Sequence, residues 1–244
     1  MKATDEFFTI GRCTAPDVWS NDIASKLNRL YYIHGGSGGY IQGGKAFEFE
    51  AKRLYLLPPF ADVHVYSSLT DKIDHTYAAF DLIPPILSRN AISIDPHAKP
   101  EIESALGVFM SLCRNKLADT DAEMTKYLKH TVVYLSHKIA EENGSEVLKD
   151  NIIIKSLKIM HTETDKNLSI SEIAAECDMS TDGFIRKFKH YIGQTPYEYL
   201  RQIKVRGALK MRELGGSWET IAENFGYADQ ASLLHAISAV KKKV

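Results

Sequence analysis

Between Arg186 and Arg212 the chain places eight Lys or Arg residues against a single acid, Glu198. Cations at that density suit a polyanion, because phosphates meet the local charge rather than the formal total of −1. The imbalance is regional: residues from Asp150 onward carry +2 and residues 1–149 carry −3. Arg186 has the most selective chemistry of the set, since a guanidinium binds guanine O6 and N7, or a phosphate, through two parallel hydrogen bonds. Gln230 can bind adenine in the same two-pronged way. Catalytic chemistry is not signalled. His34 is followed by Gly-Gly rather than by a second histidine two places on, His64 stands alone, and no nucleophile, base and orienting group are grouped. Cys13, Cys113 and Cys177 are odd in number and widely spaced, which argues against a disulfide framework and a zinc site. The expectation is therefore no catalytic residue, no metal and no cofactor.

The elements that must hold the basic residues come as one pattern stated twice, ISEIAAECDMSTDGFIRKFKHYIG and then TIAENFGYADQASLLHAISAVKKK. Each copy is a short helix carrying Ile-Ala, a tight break, and a second helix that is apolar on one face. Ahead of them Ile152–His161 reads as a helix with Ile153, Ile154, Leu157 and Ile159 or Met160 available for a core. Ser169 or Ser171 can cap the next helix, Ser169 standing three residues before Glu172 in a capping box. Ile173, Ala174 and Cys177 form its inner face. The following helix, Thr181–Tyr191, buries Phe184, Phe188 and Tyr191 or Ile192, leaving Asp182, Gly183, Ile185, Arg186 and Lys189 outward or partly so. Gly193 ends it and Pro196 restarts a helix. That joining helix, Pro196–Leu214, buries a stripe of Leu200, Ile203, Gly207, Met211 and Leu214. Arg201, Lys204, Arg206, Lys210 and Arg212 are expected on its other faces, some as solvated cations and the rest as phosphate contacts.

The remainder of the chain changes character twice. Its 244 residues, 44% apolar, suffice for about two domains. Residues 1–97 are rich in β-branched and aromatic residues broken by Gly-Gly and Pro-Pro, the pattern of an antiparallel barrel or sandwich. Lys45–Phe49 alternates, with Phe47 and Phe49 on one face and Glu48 and Glu50 on the other. Over residues 98–147 the period lengthens, giving one helix with Ile102, Leu106, Phe109, Met110 and Cys113 on a stripe. A second follows with Met124, Leu128, Thr131 or Val132, Leu135 and Ile139. This pair can cap the barrel or meet its copy in a homodimer. Asn143-Gly144 marks the joint before residues 148–244. The amino terminus has no long apolar core and no stretch approaches the ~20 apolar residues of a membrane span, so no membrane partner and a cytoplasmic location are expected. The fold class is α+β: an antiparallel β-barrel with two following helices, then an all-α region.

The ordered set S-x-x-E-I-A-A, MS-x-x-x-FIRKFK, G-x-TP-x-EYL and IA-x-x-x-GY-x-D, spread over about the last 95 residues, resembles the AraC/XylS family of bacterial transcription regulators. The resemblance implies a double helix-turn-helix in residues 148–244, each second helix entering a major groove about 34 Å from the other. It also implies a cupin-like jelly roll in residues 1–97 that senses a small molecule, a carbohydrate by family habit. Activation of transcription through RNA polymerase follows from the same resemblance. Carried over residue by residue, the DNA-facing positions are Ser180 and Thr181 for phosphate, Asp182, Ile185, Arg186 and Lys189 on the first reading helix, and Arg201 and Lys204 on the joining helix. In the second unit they are Gln230, Ser232 and His235, the last contacting DNA better protonated than neutral. This unit departs from the family. Where the pattern has an aromatic, an arginine, an aromatic and a lysine, the chain has Leu233, His235, Ile237 and Ser238, and it ends at Val244. A shortened last helix, a Lys241–Lys243 tail and weak second-half affinity for DNA are the expectations.

For the sensing region, Arg12, Trp19, Tyr32, His34, Tyr40 and His64 are the candidate effector-lining residues, assigned by alternation and by their polar aromatic chemistry. Two rival readings remain: a regulator that senses and dimerises without specific DNA binding, and a metal-dependent cupin enzyme with an accessory DNA-binding domain.

Overall fold

The computed structural model describes residues 8–15, 27–59, 61, 63–114, 122–162, 168–213 and 215–241. Residues Phe8–Val147 and Leu148–Val244 form two compact units. Among the described residues the first contains eight strands: β1 (Phe8–Thr14), β2 (Asn28–Gly35), β3 (Gly38–Gln42), β4 (Lys45–Glu48), β5 (Leu54–Leu57), β6 (Val63–Ser67), β7 (Asp74–Phe80) and β8 (Ile92–Ile94). They pair antiparallel into a five-stranded sheet, β1-β7-β2-β5-β8, and a three-stranded sheet, β4-β3-β6. The barrel expected from the sequence is thus an open pair of sheets among the described residues, with no ladder joining one sheet's edge to the other's. Its β3–β4 hairpin follows from Gly43 and Gly44. Both adopt positive φ, +56° and +75°, which a two-residue turn matching strand twist requires.

The larger sheet is buried on both faces. Towards the smaller sheet, Tyr31, Ile33, Tyr55 and Leu57 pack with Phe49, Val63 and Val65. On the opposite face Leu30, Leu54, Leu56 and Phe80 pack under α1 (Pro100–Arg114) and α2 (Ala122–Glu142). Two covered faces explain why LYYI in β2 and LYLL in β5 are continuously buried instead of alternating. Of the two roles open to the helix pair, the stripes themselves take the first: Ile102, Leu106 and Phe109 of α1, with Leu128, Val132, Leu135 and Ile139 of α2, lie in this core. A dimer through these helices would use their outer residues.

The described elements of the second unit are all helices: α3 (Asn151–Thr162), α4 (Ile170–Glu176), α5 (Thr181–Ile192), α6 (Pro196–Glu213), α7 (Trp218–Asn224) and α8 (Gln230–Lys241). Its local signals are read as written. Ser169 and Glu172 form the reciprocal capping box at α4, Ser180 caps α5 through the Gly183 N–H, and Gly193 ends α5 at φ +79°. Thr195 and Glu198 cap α6, Ser217 caps α7, and the Asp229 carboxylate accepts the Ser232 N–H at the start of α8. The two copies match in length, seven then twelve residues each, so α8 is not shortened relative to α5.

Both copies pack on α6. Phe184, Phe188 and Ile192 bury one copy's inner face, and Ile221, Phe225, Leu233 and Ile237 the other's. Because α6 is covered from more than one side, its buried surface is wider than the expected stripe and takes in Val205, Ala208 and Arg206 as well as Leu200 and Ile203. Arg206, expected among the outward cations, is only 4% exposed. Leu214 lies outside the described residues. No described helix is long and apolar enough to cross a membrane.

Gly207 is where the second copy meets the helix backbone. A Cβ there would stand 2.6 Å from the Phe225 ring. Gly207→Ala should overpack this contact and cost about 1–3 kcal/mol, read as a lowered thermal midpoint in calorimetry. An unchanged midpoint would mean that Phe225 is free to move aside.

Candidate nucleic-acid interface

The outward ridge of α5 is built by the burial of Phe184 and Phe188 on the opposite side. It presents Asp182, Arg186 and Lys189 to solvent, with Thr181 and Ile185 half-buried beside them. Asp182 and Arg186 are one turn apart, as are Arg186 and Lys189. The ion pair on this helix belongs to its neighbour: Lys187 Nζ lies 2.8 Å from Asp150, the residue whose carboxylate also accepts the Ile152 and Ile153 N–H groups at the head of α3. Lys187 thereby fastens α5 to α3 and leaves the Arg186 guanidinium without a hydrogen-bond partner among the described residues. The Ser180 hydroxyl is engaged as the helix cap, so its further role is set by the exposed helix start.

α8 repeats this scaffold with different surface chemistry. Leu233 and Ile237 occupy the places of Phe184 and Phe188 and are buried, while His235 and Ser238 stand where Arg186 and Lys189 do. Ser232 and His235 are exposed and Gln230 is half-buried at the helix start. Between 230 and 240 the sequence offers no Lys or Arg.

The α6 cations divide by partner. Arg212 donates to the Gly216 carbonyl at 2.9 Å and lies 5.1 Å over the Trp218 ring, which commits it to the turn before α7. Arg201 and Lys204 are half-buried, and burial pulls the Lys204 ammonium below its ordinary pKa. The side chain of Lys210 and residues 242–244 lie outside the description.

In the sheet unit the six candidate lining residues separate. Arg12, Thr76 and Tyr32 are directly paired across β1, β7 and β2, and so share the face that carries the helices. There Arg12 pairs with Asp74 at 2.6 Å, His34 lies 2.8 Å from Thr76, and the Tyr32 hydroxyl is 3.4 Å from His97, itself 2.8 Å from Glu103. Tyr40 belongs to the other core, between the sheets. His64 is exposed, pointing away from its inward neighbours Val63 and Val65, and Trp19 lies outside the described residues.

The intersheet face is made instead by a row the sequence reading passed over, Tyr77, Tyr31 and Tyr55, paired across β7, β2 and β5, with His75 beside them. Tyr31 and Tyr32 differ by one position, and in a strand one position reverses the face. Continuous burial of β2 removed the alternation that would have told them apart. His75 lies 5.2 Å from the Tyr31 ring and 3.9 Å from the Cys13 Sγ. Burial raises the pKa of all three thiols, that of Cys113 to about 12, so none is an activated thiolate at neutral pH. Among the described residues no three His, Cys, Asp or Glu side chains are grouped to hold a metal ion.

The family-level match falls on the helical unit, whereas the relatives and solved structures extend beyond it. Residues 160–201 match the family of bacterial regulatory helix-turn-helix proteins, AraC family, a span that covers α4, α5 and the start of α6. An AraC-like transcription regulator of Streptomyces lividans is 26% identical over 170 residues, 66% of this chain and 54% of its own. Another from Streptomyces antibioticus is 27% identical over 94 residues, 38% of this chain and 31% of its own. The chain thus spans about half the length of one curated relative and about a third of the other. Among solved structures, wild-type ToxT of Vibrio cholerae strain SCE256 with unsaturated fatty acid bound superposes with a TM-score of 0.62 at 13% identity, covering 97% of this chain and 92% of that one. At that identity the likeness is one of fold.

Burial holds the His75 imidazole at a pKa of about 4, against an ordinary 6.5. Below pH 6.5 the unfolded chain takes up a proton that the folded chain refuses, so stability is full above that pH and falls towards pH 4. Between pH 7.5 and pH 5 denaturant unfolding should lose about 2 kcal/mol from this source, and His75→Phe should remove that part of the slope. An equal slope in the variant would assign the pH dependence to other groups.

Proposed function

We propose, from the premise that this chain is an AraC-family regulator carrying that family's helix-turn-helix, that it is a sequence-specific, effector-controlled transcription regulator acting in the cytoplasm. The observation that carries the reading is the pair of equal helix-turn-helix units built on one shared helix, the first presenting on its outward ridge an Arg186 that has no partner among the described residues. In this reading α5 and α8 enter successive major grooves. Arg186 reads a base edge, Lys189 and the helix start at Ser180 and Thr181 meet phosphate, and Asp182 and Ile185 add local discrimination. Arg201 and Lys204 follow the backbone between the grooves, and Gln230, Ser232 and His235 make the weaker second contact. Residues 148–244 are the DNA-binding domain, 1–97 the sensor, and 98–147 the segment through which two copies pair. Activation through RNA polymerase is the proposed output.

In this reading the effector binds between the sheets. Tyr31, Tyr40, Tyr55 and Tyr77 supply apolar faces with polar tips, which suits a small hydroxylated molecule, a carbohydrate first. The fatty acid bound to ToxT supports an apolar carboxylate as the second class. Either ligand regulates only by binding two arrangements of the chain with different affinity.

One observation favours a second reading, sensing without specific DNA recognition: α8 offers neither Lys nor Arg between 230 and 240. Fluorescence anisotropy on duplexes from the DNA flanking the coding region separates the two. Arg186→Ala should weaken binding by about 1–3 kcal/mol with an unchanged thermal midpoint. The double variant His235→Arg, Ser238→Lys should tighten binding and steepen its salt dependence by up to about two phosphate contacts. If neither change alters affinity, the second reading stands.

A further inference from the structure

Within the helical unit a cleft of about 330 Å³ opens between the entry to α4, the first half of α6 and the α7–α8 turn. Leu168, Ile170, Leu200 and Phe225 wall it, Tyr197 and Tyr227 contribute phenol rings, and Arg201 and Lys204 are the charges that line it. Among the described residues no carboxylate lines it. Among the described residues neither Arg201 nor Lys204 has an ion-pair partner, and Arg201 Nε is buried without a hydrogen-bond acceptor. The Arg201 charge lies close enough to favour ionisation of the Tyr227 hydroxyl, although burial raises that phenol's pKa overall. Two half-buried cations facing one another's cleft without a counter-ion are a standing electrostatic cost, and an anion seated between them relieves it.

We propose that this cleft binds a small organic anion, one carboxylate on a compact apolar or aromatic body, with the carboxylate on Arg201 and Lys204 and the body against Leu168, Ile170, Leu200 and Phe225. A bare phosphate would meet the cations but leave the apolar walls wet, whereas an organic acid satisfies both kinds of surface at once. The walls come from the first copy's entry, the joining helix and the second copy's turn. An occupant therefore ties both helix-turn-helix units to α6 and occupies the two cations assigned above to phosphate. That last consequence rests on the DNA-binding reading; the binding itself does not.

The test uses the full chain with ¹³C-labelled Leu and Ile methyl groups, titrated in turn with 4-phenylbutyrate, its neutral analogue 4-phenylbutan-1-ol, and inorganic phosphate, with no DNA present. Saturable shifts of the Leu168, Ile170 and Leu200 methyls by 4-phenylbutyrate are expected, at least tenfold tighter than by the alcohol or by phosphate. Arg201→Gln with Lys204→Gln should weaken the titration at least tenfold, while Arg201→Lys, which keeps the charge, should stay within about threefold. Lys204→Gln alone gives a reduced loss should the double variant fail to fold. Shifts confined to the sheet unit, equal binding of the alcohol, or phosphate binding as tightly as the organic acid would each overturn the proposal. The last of these would leave a backbone-phosphate contact in its place, with the DNA-binding reading intact.

Discussion

Helix α6 has to satisfy two partners at once, and the helical unit is organised around that demand. Its 18 residues span about 27 Å, close to the roughly 34 Å that separates successive major grooves on one face of DNA. A helix that serves one neighbour can keep half its circumference in water. This one packs against α3, α5, α7 and α8. The demand appears in its sequence as Gly207 beneath the Phe225 ring, Ala208 and Val205 in full burial, and an arginine, Arg206, withdrawn from solvent. Cations left over on such a helix are few, which makes the half-buried pair Arg201 and Lys204 chemically conspicuous.

The same scaffold is then finished in two chemistries. In α5 two phenylalanines set the inner face and release Arg186 and Lys189 to the outer one, while Lys187 is anchored to Asp150. In α8 Leu233 and Ile237 do the work of the phenylalanines, so the helix keeps its length and its burial. What changes is the outer face, where imidazole and hydroxyl replace guanidinium and ammonium. Scaffold and surface vary independently because they occupy opposite faces of one helix.

Much of this was legible in the chain because the signals are local. The capping box at Ser169 and Glu172, the left-handed Gly193, Pro196 at a helix start and the stripes of α1 and α2 depend on neighbours within a few residues, and each stands where the spacing put it. The repeat itself was visible as text. Legibility failed wherever burial came from more than one side. Arg206 reads as outward from the one stripe that spacing reveals on α6, and its burial comes from the helix's second covered side. A strand covered on both faces gives no alternation that separates Tyr31 from Tyr32, and the one-residue difference puts their side chains in opposite cores. Sheet closure was beyond the sequence for a related reason: which edges pair is decided by contacts between strands far apart in the chain.

The central claim is that two helices of unequal chemistry read adjacent grooves from one shared helix. Hydroxyl-radical footprinting of the full chain on the DNA flanking its coding region addresses that most directly. Two protected segments should appear on one face of the duplex, centred about 10 base pairs apart, the one under α5 persisting to higher salt than the one under α8. A single protected segment, two of equal salt resistance, or protection with no sequence preference at moderate salt would contradict it.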